Sequence, residues 1–108
     1  TVDEASVTPN GDPVQFADAS ATMVNNGSDI PTANVTLIVM RDGEKVERYP
    51  LAEGKALPPG STGVGQRYIP VDGWQPGTWT FALEVSAVSG DTETVIATVE
   101  IPDGIIIP

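Results

Sequence analysis

The amino-acid sequence predicts an all-β fold, a two-sheet antiparallel β-sandwich of about seven strands. Its 11 glycines and 10 prolines divide 108 residues into short segments. These segments are rich in β-branched residues and alternate between apolar and polar side chains, which is typical of half-buried strands. No ten-residue window has the 3.6-residue apolar repeat of an amphipathic helix, so we expect no helix longer than one turn.

Clusters of glycine, proline, asparagine and aspartate set the expected strand bounds, because these residues favour turns. The seven predicted strands cover about residues 2–8, 14–24, 34–41, 44–49, 61–69, 78–88 and 93–101. A chain of this length fits a single domain with one core. We expect the domain to cover residues 1–103, followed by an apolar tail or linker at 104–108. Because the chain begins at Thr1 rather than methionine, we also expect a processed protein or a fragment.

The first two strands are separated by the turn-forming run Pro9–Pro13. The second strand carries a small apolar residue at every other position, which predicts one buried face. The residues of that face are Ala17, Ala19, Ala21 and Met23. Phe16 lies out of phase with them, so we expect a β-bulge near residue 17.

The third and fourth strands form the clearest predicted hairpin. Alternation in the third points Val35, Leu37 and Val39 toward one face. Asp42-Gly43 then predicts a type I′ turn, which needs positive φ at both positions. The fourth strand is polar and ends at Pro50, which favours a sheet edge, and residues 51–60 are expected to form a loop.

The last three strands differ in apolar content. The fifth is weakened by Gly63 and Gly65. The sixth has the strongest core pattern, with Trp79, Phe81, Leu83, Val85 and Ala87 on one face. The seventh offers Val95, Ala97, Val99 and Ile101.

The apolar segment Ile105–Ile107 lies outside these seven strands. Three exposed isoleucines would promote interaction or aggregation. The segment could be a linker into a following domain, a cut end, or a strand that pairs with a sheet edge of this domain or of a second copy. We expect self-association through it or packing on the domain's own edge.

Seven short strands at this spacing indicate an immunoglobulin-like sandwich. The order of turn motifs, Met23–Gly27, then Asp42-Gly43, then Trp74–Phe81, resembles CARDB-type domains, which are cell-adhesion-related modules of bacterial and archaeal surface proteins. The stretch from Trp74 also resembles the L-x-P-G-T-x-Y corner of fibronectin type III domains, with tryptophan for leucine and one residue fewer before the aromatic. Both resemblances imply the same fold and a non-catalytic extracellular role, at the surface of a bacterium or archaeon or secreted from it.

The composition argues against most enzyme classes. The chain contains no cysteine and no histidine, so it lacks thiolate nucleophiles, imidazole bases and the usual ligands of zinc, copper and haem. Glu84 and Glu100 are candidates for a carboxylate pair, but a filled sandwich offers no cleft for a substrate between them. We therefore expect no catalytic residues, no cofactor and no enzyme activity.

Calcium is the one metal that the sequence leaves open, because oxygen ligands are plentiful in the turns. Asn10 with Asp12, or Asp29 with Asp72, could converge if the fold brings their loops together. No EF-hand spacing is present, and turn capping explains these residues more simply. The sequons at Asn26 and Asn34 would be glycan acceptors only in a eukaryotic secreted protein.

Charge limits the partners. Fifteen acidic and five basic residues give a net charge of −10, which repels nucleic acid. The longest apolar run, Leu37–Met40, has the length of a strand, so we expect no membrane span. Partners are expected to be neighbouring domains or other proteins, contacted through sheet edges or loops.

Two main functions follow from the sequence, and a third option is a subunit that polymerises by adding a strand to the open edge of a neighbour. The first is a non-catalytic module of a larger surface or secreted protein, serving as a spacer, an adhesion unit or an assembly interface. The alternative is a carbohydrate-binding module, which displays aromatic side chains for stacking on sugars. Trp74, Tyr49 and Tyr68 lie at or near predicted strand ends and are the candidate contacts for a glycan or other ligand.

Overall fold

The computed structural model describes the backbone of residues 1–108 and every side chain except that of Asp103. It confirms the all-β prediction, since the described backbone contains seven strands and no helix. Their bounds are β1 Val2–Asn10, β2 Phe16–Asn25, β3 Ile30–Arg41, β4 Glu44–Leu57, β5 Gly60–Tyr68, β6 Gly77–Ser89 and β7 Thr92–Ile107. Among the described residues, none belongs to a helix with the length and apolar character needed to cross a bilayer.

The strands form two antiparallel sheets, ordered β1-β2-β5 and β4-β3-β6-β7. The chain passes from the first sheet to the second between β2 and β3, returns for β5, and crosses again before β6. This exchange between sheets is the Greek-key pattern of an immunoglobulin-like sandwich, which confirms the predicted fold class.

The core lies between small side chains on one sheet and large ones on the other. From β2 come Ala17, Ala19, Ala21 and Met23, each at most 4% exposed, as the alternation predicted. Opposite them, β3 and β6 contribute a fully enclosed layer of Val35, Leu37, Val39, Phe81, Leu83 and Val85. Because alanines let the sheets approach closely, the aromatic and branched side chains fill the space that remains.

The Asp42-Gly43 turn has the conformation that the sequence predicted. Asp42 has φ of 53° and Gly43 of 85°, as a type I′ turn requires. The Asp42 carboxylate also accepts a hydrogen bond of 2.9 Å from the backbone N–H of Thr78. The turn is therefore tied to the beginning of β6 as well as to its own hairpin.

The expected bulge in β2 is wrong. The pairing of β2 with β5 runs without a register shift from Ala17 to Asn25. Phe16 is out of phase because its ring lies on the outer face, where the Arg67 guanidinium packs 3.8 Å from the ring centroid. A cation stacked on the ring accounts for the aromatic residue on that face.

The expected end of the fourth strand at Pro50 is also wrong, because β4 continues to Leu57. Leu51 and Leu57, assigned to a loop from the sequence, are 4% and 3% exposed. Proline is tolerated here because β4 is an edge strand, where one N–H is not needed for pairing. The pairing with β3 is irregular, with four register shifts.

The last strand crosses the expected domain boundary at residue 103. Ile105, Ile106 and Ile107 pair with Trp79, Thr78 and Gly77 of β6. Ile105 is 4% exposed and belongs to the core, whereas Ile106 points outward at 75%. Of the three alternatives for this segment, the structure shows a strand paired with the domain's own sheet.

A register shift near the beginning of β7 changes the predicted face. Val85 pairs with Ala97, but Ser86 pairs with Val95, so Ile96 is an extra residue. Val95, expected in the core, is 53% exposed as a result. A bulge reverses the alternation on one side of the extra residue.

The molecule measures 45 × 25 × 18 Å. The long dimension follows the strands, since a twelve-residue strand such as β3 spans about 40 Å. One end holds the β2–β3 and β6–β7 turns. The opposite end holds the β3–β4 turn and the segment between β5 and β6, and we call it the aromatic end.

Candidate functional site

The aromatic end brings together the three residues named as candidate ligand contacts. The Tyr68 ring centroid lies 5.2 Å from that of Tyr49 and 5.9 Å from that of Trp74. Trp74 in turn lies 5.0 Å from Trp79. All three contacts are edge-to-face, a geometry that stabilises packed aromatic rings.

Tyr68 is the centre of this cluster and is fully buried. Its hydroxyl donates a 2.7 Å hydrogen bond to Oε1 of Glu47, which lies on the facing strand β4. Burial, and then the bond to this carboxylate, raise the pKa of Tyr68 well above its usual value. Tyr68 is thus a neutral donor that joins the two sheets.

The segment between β5 and β6 closes the end of the sandwich. Its backbone turns at Gly73, whose N–H donates to the carbonyl of Pro70 at 3.1 Å. Gln75 uses its side-chain amide to bond the carbonyl of Asp72 at 2.6 Å, and its own carbonyl accepts the indole N–H of Trp79 at 2.9 Å. These bonds fix the segment against the core.

Trp74, carried by this segment, is half-buried. Its indole nitrogen is fully enclosed and has no hydrogen-bond partner among the described residues. An enclosed, unpaired N–H costs about 1–3 kcal/mol relative to a paired one. The contribution of Trp74 to stability therefore comes from the area of its ring.

Two depressions flank the closing segment. One, of about 380 Å³, lies between the beginning of β4 and the segment, and is lined by side chains that include Arg41, Glu47 and Val71. The other, of about 450 Å³, exposes part of Trp74 beside Pro13 and Ile106.

The aromatic rings do not form an open platform. Tyr49 and Trp74, both half-buried, stand at 67° and 89° to the plane of Tyr68 between them. Stacking on a sugar needs an exposed ring face, and Tyr68 has no exposed surface. The structure thus brings the three candidates together as a packed cluster.

The two candidate carboxylates are on the outer face of the four-stranded sheet. Glu84 bonds Arg48 at 2.7 Å, and this contact raises the pKa of Arg48 above its usual value. The pair bridges β4 and β6 over Ile38, which is 5% exposed although it faces outward. Glu84 therefore has a structural partner, while Glu100 on β7 is exposed.

The loop carboxylates do not assemble into a metal centre within the described part of the chain, where no group of three or more acidic side chains could hold an ion. The side-chain amide of Asn10 donates to the carboxylate of Asp18 and to the carbonyl of Thr8, at 2.9 and 3.3 Å. These contacts within the turn and the neighbouring strand thus occupy the side chain of Asn10, one of the possible calcium ligands named above.

Glu47 and Gln75 were not identified from the sequence, although both hold the aromatic cluster in place. The signal for Glu47 was its spacing, because it lies two residues before Tyr49 and shares its face of β4. Gln75 acts mainly through its backbone carbonyl, which sequence patterns do not reveal.

Compared with family models, with curated proteins and with solved structures, this chain matches none of them.

Proposed function

We propose that this chain is a non-catalytic immunoglobulin-like module of a larger cell-surface or secreted protein from a bacterium or archaeon, in which it acts as a rigid spacer. The supporting observation is the position of its two ends. Thr1 bonds the carbonyl of Val24 at 2.8 Å, at the end of β2. Ile107 pairs with Gly77 at the opposite, aromatic end. The chain therefore enters at one end of the molecule, which is 45 Å long, and leaves at the other end.

Continuous packing supports rigidity. Strand β3 pairs with β6 from Ala33 to Arg41, which is most of its length. The core follows this length from Ala33 to Trp79 and Ile105 at the aromatic end. A sandwich with such a core behaves as one body, so it holds whatever flanks it at a fixed separation.

The contacts of the aromatic end support a structural role. Tyr68, Tyr49 and Trp79 direct their polar atoms to Glu47, the Arg67 carbonyl and the Gln75 carbonyl. Polar groups that are already paired within the protein have little left to offer a ligand. The resemblance of the turn motifs to CARDB-type domains supports the extracellular setting.

A distance measurement tests the spacer role. The chain has no cysteine, so Thr1→Cys and Pro108→Cys provide two unique sites for spin labels. We expect one narrow distance distribution near the 45 Å length of the molecule. Labels attached at the two ends of one hairpin, at Ser89 and Thr92, give a short-distance control. A broad or short end-to-end distribution would contradict the proposal.

Tryptophan fluorescence tests the carbohydrate-binding alternative. We expect soluble glycans to leave the emission of the wild-type protein unchanged, because Trp79 is buried and Trp74 is half-buried and packed edge-to-face against Tyr68 and Trp79. The Trp74→Phe variant retains only Trp79 and is the matched control. A glycan that changes the emission of the wild-type protein but not that of Trp74→Phe would contradict the spacer role and indicate a sugar-binding module.

A further inference from the structure

The four edge strands of the sandwich differ in how they are protected against pairing with another chain. In β1, Asp3, Glu4 and Pro9 interrupt the edge, and β5 carries glycines. In β4, Pro50 and four register shifts do the same. Prolines, bulges and charged side chains are the common means of blocking such edges.

The first ten residues of β7 have less protection, which consists of one bulge at Ile96 and two acidic side chains, Glu93 and Glu100. Thr92–Ile101 contains no proline, glycine or cation, and its uncharged stretch Thr94–Val99 has high β-propensity. Val95 and Ile96 are 53% and 47% exposed. A strand of this composition, bonded on one side only to β6, can accept a further strand on its free side.

Charge determines which strand fits. Glu93 and Glu100 are the charged residues of this stretch, so pairing β7 with a second β7 would bring only acids together, which is unfavourable. The cations of the chain are concentrated elsewhere, and three of the five lie on β4, namely Lys45, Arg48 and Lys55.

The opposite edge of the same sheet therefore offers cations to the acids of β7, although it also carries Glu44, Glu47 and Glu53. The two edges also match in direction. β4 runs away from the aromatic end and β7 runs toward it. A second copy, moved sideways without being turned around, would place its β4 antiparallel to β7.

The charged residues also lie at matching heights along the sheet. Ile38 of β3 pairs with Arg48 on one side and Ala82 on the other, and Ala82 pairs with Glu100. Arg48 and Glu100 thus share one level and one outer face. Lys55 is level with Thr94, the neighbour of Glu93, through Ala33 and Ala87.

We propose that the β7 edge of one molecule binds the β4 edge of a second copy, which extends the four-stranded sheet from one molecule to the next. Each molecule keeps one free edge of each kind, so the contact is heterologous and can repeat. Pro50 donates no hydrogen bond and interrupts the ladder. We therefore expect reversible association, with a dissociation constant on the order of 1 mM. This lateral contact goes beyond the spacer role, and either can hold without the other.

A charge exchange tests the proposal by sedimentation at protein concentrations from about 0.01 to 3 mM. Glu100→Arg alone places two cationic side chains together at the contact. Arg48→Glu alone places two acidic ones together there and also removes the Arg48–Glu84 ion pair within the molecule, which is why the folding of both variants is checked. We expect either variant to weaken self-association at least tenfold. An equimolar mixture of the two should associate again, because each edge then meets an opposite charge.

Two controls separate the edge contact from other effects. Asp29→Arg makes the same change in net charge as Glu100→Arg, but at an exposed turn, and it should leave association unchanged. Amide hydrogen exchange in the wild-type protein should slow in β4 and β7 as the protein concentration rises. This measurement does not depend on the folding of any variant.

Three outcomes would overturn the proposal. The first is a wild-type protein that stays monomeric over the whole range. The second is a mixture that remains as dissociated as the single variants when circular dichroism shows both to be folded. The third is an assembly that stops at a dimer and is strengthened by Glu100→Arg, which would indicate pairing of β7 with β7.

Discussion

Tyr68 joins the two sheets at the aromatic end. It belongs to β5 of the three-stranded sheet, yet its ring lies 5.2 and 6.3 Å from Tyr49 and Phe81 of the other sheet. Its hydroxyl reaches Glu47 across the same gap. One side chain thus combines ring packing with a hydrogen bond to a charged group, and both contacts depend on its burial.

The stability of the protein should fall at high pH because of Tyr68. Its pKa is raised in the folded state, so its contribution is complete below the unfolded-state pKa of about 10 and is lost as the pH rises above that value. We expect chemical denaturation to show a falling free energy of unfolding above about pH 10.

Two phenylalanine variants test whether Tyr68 is the cause of this alkaline loss of stability. Tyr68→Phe should lower the free energy of unfolding at neutral pH by about 1–3 kcal/mol through loss of the bond to Glu47, and should reduce the alkaline loss. Tyr49→Phe removes a hydroxyl bonded only to the Arg67 carbonyl and should leave that loss in place. An equal alkaline slope in wild type and Tyr68→Phe would show that another group is responsible.

Trp74 should stabilise the fold through its ring and not through its N–H. Trp74→Ala is expected to lower the free energy of unfolding by about 3 kcal/mol, because it leaves a cavity beside Tyr68 and Trp79. Trp74→Phe keeps an aromatic ring and removes the unpaired donor, so its cost should be below about 1 kcal/mol. Urea denaturation measures both, and similar losses in the two variants would mean that the indole nitrogen has a partner in solution.

At the scale of single strands, the end of β7 offers a matched pair of residues. Ile105 is in the core and its neighbour Ile106 is 75% exposed. Ile105→Ala should therefore cost about 2–4 kcal/mol, while Ile106→Ala should change stability by less than about 0.5 kcal/mol. Equal effects in thermal or urea denaturation would show that the segment does not pair with β6 in solution.

Strand identity was predictable wherever one face alternates cleanly. The alanines of β2, the branched residues of β3 and the aromatic face of β6 all lie where their period of two places them. The Asp42-Gly43 turn was predictable for a different reason, because few residue pairs tolerate positive φ at both positions.

The errors arose where tertiary contacts override the local signal. Proline normally ends a strand, but β4 continues past Pro50 because its outer side needs no partner. Phe16 departs from alternation because Arg67, fifty-one residues later, covers its ring. The bulge at Ile96 depends on how β7 pairs with β6, which the residues of β7 alone do not determine.

The candidate site was predictable as a location but not as a structure. Tyr68 ends β5 and Trp74 follows it, so both lie at the aromatic end as the turns predicted, whereas Tyr49 lies within β4, which continues to Leu57, and reaches the cluster by packing against Tyr68. Their packing depends on which side of β5 faces the core. The glycines that weaken this strand's pattern conceal that side, so the burial of Tyr68 could not be read from the sequence.

At the scale of the whole molecule, the net charge of −10 should oppose the compact state. The described part of the chain contains a single ion pair, Arg48–Glu84, so nearly all of its carboxylates lack a cation at ion-pair distance. Salt at about 0.1 M screens charges beyond about 10 Å. In dilute protein we therefore expect the melting temperature to rise with sodium chloride, by about 4 °C for each ~1 kcal/mol of relieved repulsion.

A neutral osmolyte is not a sufficient control for this effect, because it stabilises by exclusion from the surface. Replacing exposed Asp3 and Asp29 by asparagine provides a better one, since it should raise the melting temperature at low salt and reduce the response to salt. A melting temperature that is constant or falls with added salt would mean that self-repulsion is negligible.

The separation of the two chain ends also determines how the module responds to tension. A pull applied through Thr1 and Pro108 acts along the strands, because β1 begins at one end of the molecule and β7 finishes at the other. The hydrogen bonds between β1 and β2, and between β6 and β7, lie perpendicular to the strands. They are therefore strained in shear and break together, whereas a pull from the same end would open them one after another like a zipper. A protein built from such domains would stay extended under tension without a single disulfide.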